Sequence, residues 1–280
     1  MNRPVRRRVA QVMGMPISLA LRGAHIDDEA ADRAWARTLD ELRKADRVFS
    51  PFRPDSVVSR LDRGELAPNE CPPAVKEVLA LGERAHRESA GAFSIRRDGA
   101  GLDPCGVVKG WAVQRAMRHL AGLRDTDVCL SAGGDMACRT RAGAPPWRVG
   151  IEDPRDPSQV LAVVPVHNGA VATSGAVHRG AHIVDARSGR VPTALASVTV
   201  VGADLTWVDI DATAAYALGE EAPAWLARRP GRSALLVWAD GQSELVHGPT
   251  ERDRPGPIGP GLWSMPDGIG RVAGEGFEPS

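Results

Sequence analysis

The chain lacks an excess of charge of either sign. Its 280 residues include 35 Lys plus Arg and 35 Asp plus Glu, so the formal net charge is zero. Only the start is locally basic, through Arg3, Arg6, Arg7 and Arg8. A protein without a net positive field has little to attract nucleic acid. We therefore expect no nucleic-acid partner.

The chain is also poor in cysteine and in long apolar runs. Its cysteines, Cys71, Cys105, Cys129 and Cys138, form no Cys-x-x-Cys pair, which favours free thiols in a reducing compartment. No apolar run approaches the roughly 20 residues of a membrane span. The run from Val9 to Leu21 is interrupted by polar residues and proline, and no lipid-bearing cysteine follows it, so it predicts an edge strand, not a signal peptide. We expect a cytoplasmic protein without membrane insertion.

Apolar residues at helical spacing predict several amphipathic helices. One is capped by Asp27 or Asp28 and ends at Pro51, and another follows Pro72-Pro73 and closes at Ala90-Gly91. A third is expected from near Lys109 to Gly122, so that Gly106 to Gly110 would lie at its N-terminus, and a last one from about 208 to 218.

Short β-branched segments predict strands at 127–131, 147–151, 160–166, 196–202 and 233–238. Helices do not separate them regularly, which favours an α+β fold of mainly antiparallel sheets covered by helices. We expect one domain over residues 1–248. Residues 249–280 are rich in proline and glycine and predict a disordered tail, with Trp263 as a possible anchor.

Three glycine-containing stretches are candidates for holding phosphate, because glycine backbone can approach a ligand closely. They are Asp103 to Gly110, Ser131 to Asp135, and Thr173-Ser174-Gly175 followed by His182-Ile-Val-Asp185. Gly106-Val-Val-Lys-Gly110 lacks the spacing of a Walker phosphate loop. Taken singly, the first stretch fits an ordinary strand-to-helix turn as well as a phosphate-binding loop. Gly133-Gly134 likewise fits a hairpin turn as well as a ligand-binding loop. His182 is either structural or a proton-transfer group, on a segment whose alternation predicts a strand.

Asp209 and Thr213 are four residues apart and share a helix face. A carboxylate, a hydroxyl and a backbone carbonyl suit Mg²⁺, which takes further oxygens from a phosphate ligand. The alternative is a capping aspartate and a threonine bonded to its own helix.

The order and spacing of these segments resemble the ApbE family of FAD:protein FMN transferases over residues 9 to 220. The resemblance begins at Val12-Met-Gly-Met-Pro16, continues through Phe49 to Ser56 and Gly91 to Ile95, and matches the family pattern Asp-x-x-Gly-x-x-Lys-Gly at Asp103 to Gly110. Gly133-Gly134-Asp135, Thr173 to Gly175, His182 to Asp185, Ser197 to Val200 and Asp209 to Thr213 complete it. Phe52, Ser94 and Gln114 depart from the family's usual tyrosine, aspartate and aspartate.

The resemblance implies an ApbE-like (T-fold-like) flavin transferase fold and a set of site residues. The implied FAD contacts are Met13, Phe52, Ala92, Phe93, Ser94, Asp103, Lys109, Gly133, Gly134, Asp135, Thr173, Ser174, Gly175 and Val184. The implied Mg²⁺ contacts are the Gly106 carbonyl, Asp209, the Ala212 backbone and Thr213. As catalytic residues we expect Lys109, and His182 as the group that takes the proton of the attacking hydroxyl.

The implied reaction is Mg²⁺-dependent transfer of FMN from the substrate FAD to a Ser or Thr hydroxyl of an acceptor protein, with release of AMP. Two alternatives use the same residues. Water as the acceptor would give an FAD hydrolase that forms FMN and AMP, and a site without chemistry would give an FAD-binding protein.

Overall fold

The computed structural model of the protein describes residues 4–97, 101–177, 180, 182–250 and 263. The helices are α1 (Glu29–Phe49), α2 (Val57–Asp62), α3 (Pro73–Glu88), α4 (Cys105–Ala116), α5 (Leu205–Leu218) and α6 (Ala222–Leu226). The strands are β1 (Arg6–Val12), β2 (Met15–Gly23), β3 (Arg96–Arg97), β4 (Gly101–Leu102), β5 (Thr126–Ala132), β6 (Asp135–Arg139), β7 (Trp147–Asp153), β8 (Asp156–Val166), β9 (Gly169–Gly175), β10 (Leu195–Gly202), β11 (Ser233–Trp238) and β12 (Ser243–His247).

One large antiparallel sheet organises the molecule. It has eight strands in the order β1-β2-β5-β6-β9-β10-β11-β12, and β7 and β8 form a separate two-stranded hairpin. Helices α1, α4 and α5 pack with the sheet into the larger apolar core. A smaller core joins the β7–β8 hairpin to apolar residues of β6, β9, β10 and β11. The predicted α+β class with mainly antiparallel strands covered by helices is confirmed.

The helix ends follow from local capping. Asp28 accepts a hydrogen bond from the Ala31 backbone at the start of α1, as predicted, and Gly219 ends α5 with φ at 58°. Helix α5 begins three residues before the predicted start, because Asp204 caps it by accepting from the Trp207 backbone. The short helices α2 and α6 had no clear periodic signal.

Helix α4 begins at Cys105, earlier than the predicted start near Lys109. Pro104 occupies its N-cap position, and the Asp103 carboxylate accepts from the Cys105 backbone at 3.1 Å. Gly106 therefore lies in the first helical turn, whereas Lys109 and Gly110 lie beyond it. The expectation that the whole of Gly106 to Gly110 forms the helix N-terminus is wrong.

The five predicted strands all occur, with ends that shift by up to four residues. The expected single edge strand near the N-terminus is instead a hairpin, in which β1 is the edge strand and β2 is interior. Segment 182–185 is not the predicted strand, because only Asp185 forms an isolated bridge, to Arg190. The segments that form β6, β9 and β12 are too short or too rich in small residues to be predicted as strands.

Most of the predicted tail lies outside the described residues. Of residues 249–280 the structure describes 249, 250 and 263. The Trp263 indole nitrogen donates to Ser233 Oγ at 3.0 Å, and its ring packs against the smaller core. Across the described part of the chain, no helix combines the length and apolar character required to cross a membrane.

Candidate functional site

One cavity of about 1010 Å³ collects most of the predicted site residues. Its walls come from the β5–β6 turn, the end of β9, the start of α4, one face of α5 and strand β7. The predicted residues that line it are Phe52, Ala92, Phe93, Ser94, Asp103, Gly106, Lys109, Gly133, Gly134, Asp135, Thr173, Ser174, Gly175, His182, Val184, Asp209 and Thr213. Segments far apart in sequence thus meet around a single space, which is large enough for a ligand of dinucleotide size.

Two predicted residues do not line this cavity. Met13 lies in the β1–β2 turn with φ at 57° and lines a smaller adjoining pocket of about 120 Å³, which also contacts Phe52 and Lys109. Ala212 is buried in α5 and is not among the residues that line the cavity. The metal contact expected from its backbone stays a prediction.

Lys109 joins two buried carboxylates at the base of the cavity. Its Nζ lies 2.5 Å from Asp135 Oδ2 and 3.2 Å from Asp209 Oδ1. Both aspartates are almost fully inaccessible. Asp135 also accepts from the Thr173 backbone at 3.1 Å, where the β6–β9 pairing ends. Asp135 is thus a strand residue that orients Lys109. It also lines the cavity, and its predicted contact with FAD stays a prediction.

The two carboxylates and one ammonium leave a local negative charge. Burial raises the pKa of Asp209 to about 7, because Lys109 offsets only part of the lost hydration and the Asp135 carboxylate opposes a second negative charge. A buried carboxylate in this state is stabilised by an added cation. The electrostatics therefore suit a metal ion beside Asp209.

The oxygen atoms near Asp209 fit a hard cation. The Thr213 hydroxyl lies 3.2 Å from Ser174 Oγ, and Thr213, Asp209 and Gly106 all line the cavity. Within the described residues no three His, Cys, Asp or Glu side chains form a metal cluster. A carboxylate with a hydroxyl and a carbonyl is nevertheless the type of mixed oxygen set that Mg²⁺ accepts when phosphate supplies further ligands.

The glycines of α4 serve close packing as well as the cavity. A Cβ on Gly110 would lie 2.6 Å from the Leu205 carbonyl oxygen, so glycine is needed for the contact between α4 and α5. The Gly110 N–H donates to Asp209 Oδ2 at 2.9 Å. In a regular helix that N–H bonds the carbonyl four residues earlier, which is Gly106. Competition from Asp209 makes the Gly106 carbonyl a better acceptor for another partner.

The Gly133-Gly134 pair forms the turn of the β5–β6 hairpin, with φ at 56° and 98°. The two interpretations left open by the sequence are therefore compatible, because the hairpin turn also lines the cavity. Thr173 Oγ1 pairs with Thr199 Oγ1 at 2.8 Å on the adjacent strand β10. These contacts fix the wall that Thr173 to Gly175 contributes.

Another wall of the cavity combines the exposed ring of Phe52 with a hydrogen-bonded loop that contains Phe93 and Ser94. Phe52 is 90% exposed, an unusual state for a large apolar side chain, and its ring borders the cavity. Phe93 is buried, and its carbonyl oxygen lies 2.9 Å from His86 Nδ1. Ser94 Oγ donates to the Arg96 carbonyl at 2.6 Å. Ser94 therefore stabilises loop backbone beside the cavity, whereas Asp103 bonds the first residue of α4.

His182 lines the cavity and has an exposed ring. Its Nδ1 lies 2.9 Å from the Gly180 carbonyl oxygen. Because a carbonyl can only accept, this hydrogen bond places the proton on Nδ1 and leaves Nε2 as the acceptor in the neutral ring. Asp185 is bonded to Arg187 rather than to His182.

Strand β7 supplies a part of the cavity wall that the sequence did not indicate. Residues 149–153 of β7 and the following Pro154 line the cavity, although 147–151 had been predicted only as a strand. The role of Gln114 was not indicated either: its Oε1 accepts from the Leu205 backbone at 2.9 Å at the first residue of α5. Neither role has a local signal, since each depends on a partner distant in the chain.

Two sequence comparisons relate the chain to known proteins. The model of the ApbE family matches residues 13–96 and 94–236. An FAD:protein FMN transferase from Rhodobacter capsulatus is 33% identical over 149 residues, which cover 50% of this chain and 28% of that protein. The matched stretch therefore represents less than a third of that relative's length.

Solved structures of similar proteins have the same fold. The ApbE protein of Thermotoga maritima superposes with a TM-score of 0.75 at 20% identity, over 87% of this chain and 97% of that one. The apo form of the flavinyl transferase ApbE of Pseudomonas stutzeri gives 0.73 at 23% identity, over 89% of this chain and 95% of that one. With the family model matching most of its length, this chain belongs to the ApbE family.

Proposed function

We propose that the protein transfers FMN from FAD to a Ser or Thr hydroxyl of an acceptor protein and releases AMP, with Mg²⁺ as cofactor. The observation that carries this proposal is the convergence of Lys109, Asp209 and Thr213 with the glycine turns on one cavity. Family membership and the relative named FAD:protein FMN transferase support the reaction type.

The residues divide between holding the flavin and holding the pyrophosphate. The exposed ring of Phe52 offers a flat apolar surface on which an isoalloxazine can stack. The Gly133-Gly134 turn leaves backbone accessible at the cavity wall. Asp209, Thr213 and the Gly106 carbonyl would hold Mg²⁺, which when bound neutralises charge on phosphate oxygens.

The proposed reaction exchanges one phosphorus–oxygen bond for another. The acceptor oxygen forms a bond to the phosphorus of the FMN half while the bond from that phosphorus to the bridging oxygen breaks. The bridging oxygen departs with AMP. The hydroxyl proton passes to a base, for which His182 Nε2 has the required tautomer. Lys109, oriented by Asp135, places its positive charge at the cavity base.

The activity can be tested with purified protein, FAD, Mg²⁺ and a protein extract as the source of acceptors. We expect AMP release together with flavin fluorescence that remains on protein bands after denaturation. Thr213→Val should reduce the Mg²⁺-dependent rate at least tenfold, because it removes a metal ligand while preserving shape. Thr206→Val is the matched control, since Thr206 is a buried threonine of the same helix that does not line the cavity.

The products separate transfer from its alternatives. AMP and free FMN without labelled protein would identify a hydrolase. Bound FAD that stays intact after Mg²⁺ addition would identify a binding protein. Either result contradicts the proposed transfer.

A further inference from the structure

The cavity meets strand β7 along an edge, not on a face. Residues 149–154 line it without interruption. Successive side chains of a strand point to opposite faces, and here Val149 and Ile151 are buried whereas Gly150 and Glu152 are exposed. The cavity contacts consecutive residues, whose side chains point to opposite faces of the β7–β8 hairpin. The cavity must therefore lie beside β7, along its edge. The β7 backbone therefore borders the cavity directly.

The opposite edge of β7 is the one that faces away from β8. In the part of the chain that the structure describes, β7 pairs only with β8. Arg148 lies opposite Pro165, which has no N–H to give to the ladder, so this pair is of the type without hydrogen bonds between the two strands. The regular register then makes Gly150 and Val163 a pair of the same type. The N–H and C=O groups of Arg148 and Gly150 therefore point away from β8.

The backbone of the β7 edge is least covered at Gly150. Proteins guard edge strands with charged side chains, proline or bulges, and β7 has the exposed charged residues Arg148 and Glu152 and a bulge after Ile151. Between these charged residues, Gly150 has no side chain to shield the edge. A Cβ there would meet only Val160, at 3.5 Å. Val160 is itself 44% exposed, so an apolar contact lies beside the open backbone.

We propose that the free edge of β7 binds the acceptor protein as an added strand, an inference that rests on the proposed transferase function. An extended segment would pair its backbone with Arg148 and Gly150. Its alternate side chains would then face inward, where a Ser or Thr meets the cavity, and outward, where an apolar neighbour meets Val160. The occupant is thus an extended segment in which the modified hydroxyl residue has an apolar neighbour in sequence.

The first test uses wild-type protein and nine-residue synthetic peptides with a central threonine and varied flanks. With FAD and Mg²⁺ we expect a subset to acquire covalent FMN. The most efficient peptide is then remade with a single backbone N-methyl group at each position. Strand pairing predicts loss of labelling at every second position, because alternate N–H groups face β7. Loss at no position, or without a period of two, would overturn the inference.

The second test alters the edge itself. Gly150→Pro removes the outward N–H and should raise the KM for the peptide at least tenfold, whereas Gly150→Ala keeps that N–H and should stay within twofold. Both substitutions add a side chain at a residue that lines the cavity, so FAD affinity, measured by fluorescence quenching, is compared between the two variants and should not differ between them. Equal peptide KM values, or a matching loss of FAD affinity in the proline variant, would overturn strand docking.

The two proposals fail in different ways. If the wild-type protein labels bands of a protein extract but no peptide, the function stands and docking of an extended segment is overturned. If it releases no AMP and labels neither substrate, the transferase function itself is wrong.

Discussion

At the scale of single residues, Gly110 couples packing to the site. Its position allows α4 and α5 to touch, and its N–H holds one oxygen of Asp209. The sequence indicated a glycine needed for close approach, but to a ligand. The structure shows that the close neighbour is the backbone of another helix. The residue thus affects the cavity through Asp209 rather than by direct contact.

Replacing Gly110 should therefore reduce stability and disturb the site together. In Gly110→Ala the new Cβ would lie 2.8 Å from Asp209 Cβ, so the helices must separate. We expect a loss of about 1–3 kcal/mol in the free energy of unfolding, typical of overpacking, measured by urea titration. Gly122→Ala is the matched control, because Gly122 is exposed and its Cβ would meet nothing within 4 Å. Equal unfolding free energies for the two variants would contradict this explanation.

At the scale of elements, Gln114 connects the helices that form the cavity base. Its side-chain carbonyl accepts from the fully buried Leu205 backbone at the start of α5, beside the cap from Asp204. An N-terminal helix N–H has no partner within its own helix. Gln114 on α4 thus satisfies a buried donor on α5 and fixes the position from which Asp209 and Thr213 project.

Gln114→Ala should leave the Leu205 N–H unpaired and cost about 1–3 kcal/mol in the free energy of unfolding. Gln114→Glu is the control, because it keeps an acceptor and places a negative charge at a helix N-terminus, where it is favourable. Chemical denaturation of both variants at neutral pH measures the difference. If Gln114→Glu is destabilised as much as Gln114→Ala, the hydrogen bond is not what the side chain contributes.

Elements with strong local signals could be predicted from the sequence, and those defined by distant partners could not. Asp28 and Gly219 mark helix ends through their own side-chain and backbone preferences, and both were placed correctly. The start of α4 was misplaced because Gly106 weakens the helical pattern in its first turn. Strand β7 was found as a strand, but nothing in its own residues indicates which edge remains open.

At the scale of the whole molecule, the cavity depends on the antiparallel sheet to align segments that are distant in the chain. The β5–β6 turn and the end of β9 meet because β6 and β9 are neighbours in the sheet, and α5 packs across β9 and β10. The family resemblance placed these residues in one site. Residue spacing alone left each of them with an ordinary structural explanation, since their proximity arises only from the fold.

A site assembled in this way should make ligand binding and global stability interdependent. A ligand that binds only the folded state stabilises it by about 2.7 kcal/mol at 100 times its Kd, or about 5–10 °C in Tm for a chain of this size. We expect FAD with Mg²⁺ to raise Tm by more than the sum of the separate effects, since the phosphates complete the coordination of the metal. EDTA should remove this excess.

The Thr213→Val variant shows whether the excess comes from the proposed metal site. In this variant FAD alone should raise Tm as much as in the wild type, but the additional rise in Tm that FAD and Mg²⁺ give together should be lost. Thr206→Val should retain this additional rise. Differential scanning fluorimetry at fixed protein concentration measures all three proteins. An excess that persists in Thr213→Val would place the metal on other oxygens. No excess in the wild type would mean that FAD and Mg²⁺ bind independently, which would contradict the proposed site shared by Asp209, Thr213 and the glycine turns.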